Sequence, residues 1–160
     1  MAVLPEHAAA LAQARAHRFS DWPNPDVPTF GAGVYTIWHV DGRFIYVGMP
    51  GRGISDTTVP RNTPQGIYTR LASHAAGRRS GDQFCVYVAD RLVLPCLTAD
   101  DIAAIAEGRH QLDAYVRRYI HGHLLYRYVV VQNGKAARAV ETEIKSGGWE
   151  QGQPLLNPHR

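Results

Sequence analysis

Cysteine, lysine and long apolar runs are all scarce in this chain, and each shortage removes a class of protein. The only cysteines, Cys85 and Cys96, have no CxxC spacing and are too few for a disulfide framework. Cys85 falls in an apolar run, where it reads as a small core residue. No segment approaches the roughly 18 apolar residues of a membrane-spanning helix. Residues 1–18 lack the charged start and apolar block of a signal peptide, so a soluble cytoplasmic protein is expected, with no membrane partner. No helix-turn-helix, zinc finger or internal repeat is visible. Lysine is confined to Lys135 and Lys145 among 17 basic residues, leaving 15 arginines. Arginine's planar fork suits phosphate better than a point charge does, although a GC-rich genome produces the same excess. With a net charge of +3, composition permits a nucleic-acid partner without requiring one.

What is present is globular. A composition 45% hydrophobic and 19% charged over 160 residues fits one domain, long enough to bury about 70% of its unfolded surface. The chain is organised around Gly33-Val34-Tyr35 and Tyr46-Val47-Gly48, with Asp41-Gly42 midway between them. An Asp-Gly pair between two β-branched and aromatic runs predicts a hairpin. Because side chains alternate along a strand, Tyr35 and Tyr46 can converge on one face. Gly33 and Gly48 leave room there for the close approach of a backbone or a ligand. Taken alone, each tyrosine reads as a half-buried packing residue.

Around the hairpin, Leu4 to Arg18 reads as a helix with Leu4, Ala8 and Leu11 on one stripe. The proline-rich arm that follows, residues 21–28, is pinned to the body by Trp22 and Phe30 in this reading. Met49 to Gln65 is a long Gly/Pro loop carrying Arg52 and Arg61. A helix from Pro64 to about Gly77 puts Ile67, Leu71 and Ala75 on its core stripe, with Arg70 and His74 together on an adjacent face. Arg78 and Arg79 follow it, and Ser80-Gly81-Asp82 breaks the chain. Phe84 to Ala89 alternates as a strand would. Thr98 caps a helix to Glu107, and a second amphipathic stretch runs from Leu112 to Gly122. Leu124 to Gln132 is the most strand-like run, and Lys135 to Ser146 a helix on which Glu141 and Glu143 do not share a face. The expected fold is therefore α+β: a small, mostly antiparallel sheet (hairpin Gly33–Gly48 with strands near 84–89 and 124–132) flanked by helices. Residues 1–30 form a lead-in, residues 31–160 a single domain, and residues 90–122 a helical insertion.

The order of these features resembles the GIY-YIG nuclease family. Gly33-Val34-Tyr35 and Tyr46-Val47-Gly48 stand where that family has its two tripeptides, at a spacing it uses. Arg70 with His74 looks like its helix Arg and frequent His. Residues 139–145 are similar to the segment presenting its metal-binding Glu, here Glu141, and Asn157 after Pro154-Leu155-Leu156 matches its terminal Asn. The likeness spans about Gly33 to Pro158. It implies a divalent-metal-dependent DNA endonuclease whose catalytic residues are Tyr35, Tyr46, Arg70, His74, Glu141 and Asn157.

The residues suit that chemistry. One carboxylate is a sparse metal shell that fits Mg²⁺ (or Mn²⁺), which keeps several waters and takes oxygen from a phosphate. Arg70 can fork onto the scissile phosphate, and His74, with an ordinary pKa near 6.5, can take a proton. Tyr35 is favoured as the group handling the attacking water, assisted by His74, with Tyr46 on the metal side; the sequence leaves open which phenol is the base. Asn157 orients either the metal shell or a tyrosine, or is a turn residue. Arg52, Arg61, Arg78 and Arg79 are candidate DNA contacts, with double- and single-stranded substrates both open. Specificity falls to the long loop, the insertion, a homodimer or a partner protein, and the long loop and inserted helices resemble those of restriction-type members. The alternative is a catalytically idle nucleic-acid-binding module of the same fold.

Overall fold

A computed structural model describes residues 3–157, with side chains from Glu6 onward. The chain runs α1 (Val3–Gln13), β1 (His17–Arg18), β2 (Phe30–Gly31), β3 (Gly33–His39), β4 (Phe44–Gly48), β5 (Gln65–Gly66), α2 (Ile67–Ala76) and α3 (Gln83–Val88). It continues through α4 (Ala99–Ala106), α5 (Leu112–His123), β6 (Leu124–Val130) and α6 (Gly134–Lys145). Four strands form an antiparallel sheet in the order β1-β6-β3-β4, and β2 pairs with β5 in a separate parallel bridge. The hairpin turns at Asp41-Gly42, where Gly42 takes φ 96° and donates to the His39 carbonyl. In its register Tyr35 lies opposite Gly48 and Ile37 opposite Tyr46, so the two phenols are diagonal neighbours on one face. Ile45 is the extra residue of a bulge, since Trp38 already pairs with Phe44.

Both faces of the sheet are covered. Tyr35, Ile37 and Tyr126 pack against α2, α3 and α5 through Ile67, Leu71, Phe84, Val88, Val116 and Ile120. Val34, Phe44 and Val47 face α1 and α6 through Leu11, Ala137, Val140 and Ile144. The hairpin is thus the middle layer of three, which is why its strands read as nearly continuous apolar runs rather than strict alternations. No described helix is long and apolar enough to cross a membrane.

Two sequence expectations need correction here. Phe84 to Ala89 is not a strand: α3 occupies it and winds on without a break into wider and tighter turns through Cys96. The buried residues Phe84, Cys85, Val88, Ala89, Leu92 and Val93 repeat at helical spacing, and Asp82 caps the start by accepting from the Cys85 N–H. The alternation was a five-residue accident inside a ten-residue helical pattern. The first helix stops at Gln13, because His17 and Arg18 pair with β6 as an edge strand; the Leu4 side chain lies outside the described residues. Residues 90–122 contain α4 and α5, and Val116 and Ile120 of α5 are fully buried in the core.

The long loop is tied down at three places. Its end pairs with the arm as β5, its Ile54 carbonyl accepts from the Gly134 N–H (2.8 Å), and Asp56 accepts from the Asn133 side chain (2.9 Å). Gly66 makes the loop-to-helix corner at φ +85°, and a Cβ there would strike the Gly31 carbonyl. Gly66→Ala is accordingly expected to destabilise the fold by about 2 kcal/mol or more, read as a lower urea midpoint at unchanged m. The arm is anchored as anticipated, with Trp22 packed 5.0 Å from Tyr68.

Candidate active site

One cleft of about 380 Å³ is lined by residues from both helical layers and the hairpin. Tyr35 and Tyr46 come from β3 and β4, Arg70 and His74 from α2, Asp82 and Phe84 from the start of α3, and Glu141 from α6. Gly48 and the loop residues Met49 to Arg52 complete it. The Arg70–His74 spacing works as helical geometry demands: Arg70 stands exposed at the rim, and His74, one turn on, is buried below it. Arg70 has no side-chain partner among the described residues. Glu141, not Glu143, faces the cleft; Glu143 is exposed, and its carboxylate lies over Gly148.

Beneath the cleft runs a chain of short hydrogen bonds. Tyr35 Oη lies 2.5 Å from His74 Nε2, and His74 Nδ1 lies 2.6 Å from Asp82 Oδ2. Ser73 donates to the same carboxylate oxygen at 2.7 Å, while Oδ1 accepts from the Cys85 N–H at 3.2 Å. Tyr35, His74 and Asp82 are each about 2% exposed or less. The Phe84 ring, 4.5 Å from the imidazole and 5.0 Å from the Tyr46 ring, closes this layer. Asp82 was invisible as a site residue in the sequence, where it passed for a helix breaker. Its signal was the helix cap, legible only once residues 84–93 are recognised as helical.

Gly48 has a specific reason to be glycine. A Cβ there would strike Tyr35 Oη and come within 2.7 Å of Cε1, so the close approach is that of the tyrosine ring itself. At Gly33 the neighbours are instead the Val129 carbonyl and Ile67, which makes that glycine a packing requirement.

Electrostatics separate the two phenols. Burial pushes the Tyr35 pKa well above its ordinary value, with the Tyr46, Asp82 and Glu141 charges adding and Arg70 opposing. Tyr46 is pushed up to about 12 by burial and then by Glu141 and Asp82. Neither is a phenolate at neutral pH, but Tyr35 has an imidazole to receive its proton and Tyr46 has none among the described residues. Burial lowers the His74 pKa, against the pull of Asp82, so the imidazole rests neutral. Burial alone would raise Asp82; hydrogen bonds from His74, Ser73 and the Cys85 N–H outweigh it and hold the carboxyl at about 2.

Not every candidate meets in the cleft. Asn157 lies outside it: Oδ1 accepts from the Val47 N–H (2.8 Å) and Nδ2 donates to the Val47 carbonyl (2.9 Å). Leu155 and Leu156 donate to the Phe44 and Ile45 carbonyls, so the tail runs along the free edge of β4 and the Asn side chain completes it as a backbone mimic. Asn157 thereby fixes Val47 between Tyr46 and Gly48 without touching the cleft, a correction to its expected place at the metal or a phenol. Asn157→Ala is expected to cost about 1–3 kcal/mol of stability, measured by urea unfolding, because Val47 loses both buried partners. Of the four candidate DNA-contact arginines, Arg52 lines the cleft and Arg61 an adjoining depression along the loop. Arg78 lines neither, and Arg79 is paired with Asp113 at 2.6 Å.

Two groups bear on metal binding. His74, Asp82 and Cys85 offer ligand atoms within 4.8 Å of one another, the one such cluster of three among the described residues. All three are buried, both imidazole nitrogens already have partners, and burial holds the Cys85 thiol far from ionisation, so this trio is a poor cation site. Glu141 is the partly exposed carboxylate of the cleft, where Asp82 is buried, and it lies 2.8 Å from Lys145 Nζ. A carboxylate facing space for water and substrate phosphate fits Mg²⁺ or Mn²⁺, which rarely take an all-protein cage. No family model, curated protein or solved structure matches this chain.

Proposed function

We propose that this chain is a divalent-metal-dependent endonuclease of the GIY-YIG type, hydrolysing DNA phosphodiester bonds. The observation that carries the reading is the presence on one cleft of two phenols, an arginine with no side-chain partner among the described residues and the partly exposed Glu141 carboxylate, backed by a buried imidazole hydrogen-bonded to one of the phenols. That combination supplies what the reaction requires: a base for water, a cation for the phosphoryl oxygens and an anionic ligand for a metal. A metal held by Glu141 would relieve charge on the phosphate and acidify bound water.

The protein's own part begins at Tyr35. The attacking water gives its proton to Tyr35 as Tyr35 Oη passes its own to His74 Nε2. The resulting imidazolium faces Asp82. The hydroxide forms the new bond to phosphorus, the bond to the 3′ oxygen breaks, and that oxygen takes a proton from solvent. Arg70, exposed at the rim, forks onto the phosphoryl oxygens as charge develops. Arg52 is placed to hold a neighbouring phosphate.

The decisive experiment incubates supercoiled plasmid and single-stranded DNA with protein and Mg²⁺, beside Glu141→Ala. Nicking by wild type alone supports the reading; DNA binding without nicking sinks it in favour of an idle binding module. One contact favours that alternative, because Lys145 already neutralises Glu141. Under the enzyme reading, Lys145→Ala is expected to lower the Mg²⁺ concentration for half-maximal cleavage several-fold. An idle module shows no cleavage at any Mg²⁺ concentration with either protein.

The pH dependence has a definite sign. His74 must be neutral to receive a proton, and its pKa lies below the ordinary 6.5. The cleavage rate is therefore expected to stay level from neutrality down past pH 6.5 and to fall only below it. Stability follows the same direction. The lowered His74 contributes fully above 6.5 and loses its contribution as pH falls toward its folded value. Asp82 contributes above 3.8 and loses its contribution as pH falls through about 2.

A further inference from the structure

Asp82 is one of few buried charged groups among the described residues, and its surroundings leave it little freedom. An ionised carboxylate only accepts hydrogen bonds. With Oδ2 2.6 Å from His74 Nδ1, the hydrogen between them must sit on Nδ1. A neutral imidazole then has a bare Nε2, so Tyr35, at 2.5 Å, must be the donor. The direction of both hydrogen bonds thus follows from the carboxylate. Around the imidazole stand Tyr35, the edge-on Tyr46 ring, the Phe84 ring and Asp82, while the Arg70 charge disfavours a positive imidazole. Among these neighbours Asp82 is the one anion.

We propose that Asp82 is a positioning residue: it fixes His74 in the Nδ1–H tautomer, aims Nε2 at Tyr35, and supplies the counter-charge for the imidazolium formed when Tyr35 passes its proton on. Its role rests on the endonuclease reading. Its rigidity comes from α3, because the second oxygen caps that helix at the Cys85 N–H and Ser73 donates to the first. Loop, helix cap and relay are one hydrogen-bonded unit, and none of it depends on a metal.

An amide replacement exposes this arrangement. In Asp82→Asn one position becomes a donor. The cap needs an acceptor for the Cys85 N–H, so the amide oxygen stays there and the NH₂ group turns toward His74. Nδ1 must then accept, the hydrogen moves to Nε2, and Nε2 can no longer receive the Tyr35 proton. The same logic underlies the loss of activity when the buried Asp of a serine-protease triad becomes Asn.

The test is ¹⁵N NMR of histidine-labelled protein, joined to steady-state cleavage. Wild type is expected to show a protonated Nδ1 and a bare Nε2 at His74 near neutral pH, and Asp82→Asn the reverse. In Asp82→Asn, kcat is expected to fall by about 10²–10⁴-fold with KM for DNA within about twofold. In a His74→Ala background the same substitution is expected to change kcat by less than about twofold, since the two act as a unit. An Nε2–H tautomer in wild type overturns the proposal, and that measurement stands even if Asp82→Asn fails to fold. So does a reversed tautomer with undiminished kcat, or a full additional loss in the His74→Ala background. Should wild type cleave no DNA, the endonuclease reading falls, and the tautomer spectra alone decide whether Asp82 sets His74.

Discussion

Tyr35→Phe is expected to reduce kcat by about 10²–10⁴-fold, the range for removing a positioned acid–base group. The substitution keeps the ring that fills the space over Gly48 and against His74, so the core cluster it belongs to retains its packing. What is lost is a single oxygen, and with it the donor to His74 Nε2. A buried acceptor left without a partner costs about 1–3 kcal/mol, so a modest fall in stability accompanies the large fall in rate. Tyr46→Phe is the comparison. Tyr46 has no side-chain hydrogen-bond partner among the described residues and is only partly buried. Its loss should leave stability within about 0.5 kcal/mol and reduce kcat less than Tyr35→Phe does. Equal effects on kcat from the two substitutions would contradict the assignment of Tyr35 as the phenol that handles the water's proton. Urea denaturation together with single-turnover cleavage separates the two quantities.

Glu141→Gln should bring metal-dependent cleavage down to background while leaving the fold intact. The amide is isosteric, and among the described residues the carboxylate's one ion pair is with Lys145 at a partly exposed site, where such a pair contributes about 0–1 kcal/mol. Stability is therefore nearly silent and activity reports the charge. A neutral amide is a poor ligand for Mg²⁺ next to a carboxylate, and the other carboxylate lining the cleft, Asp82, is buried and already held by His74, Ser73 and the Cys85 N–H. Glu143→Gln serves as the control two residues away: exposed and outside the cleft, it should cleave at the wild-type rate. Titration with Mn²⁺ followed by its EPR signal gives a readout independent of turnover, with Mn²⁺ binding lost in Glu141→Gln and retained in Glu143→Gln.

Local rules carried the hairpin, the capped helix after Thr98, strand β6 and helix α6, because each is specified by a short pattern: Asp-Gly at the turn, Thr98 as a cap, a β-branched run, and Ala137, Val140 and Ile144 at helical spacing. The same rules misread residues 84–89, where alternation over a few residues outweighed a helical period that needs about ten to be seen. They also missed the end of α1, since whether residues 17–18 continue a helix or become an edge strand depends on β6, more than a hundred residues away.

For the cleft, the residue types and their order were present in the sequence: two tyrosines beside glycines, Arg70 and His74 one turn apart, and Glu141 out of phase with Glu143. These follow from fixed periods of two and 3.6, which a linear sequence contains. What only the tertiary structure decided is which of these groups touch. The pairing of Tyr35 rather than Tyr46 with His74, the arrival of Asp82 behind the imidazole, and the place of Asn157 on the β4 edge all arise from packing α2, α3 and the tail against one hairpin. Such contacts join residues 8 to 110 positions apart, and no local propensity encodes them.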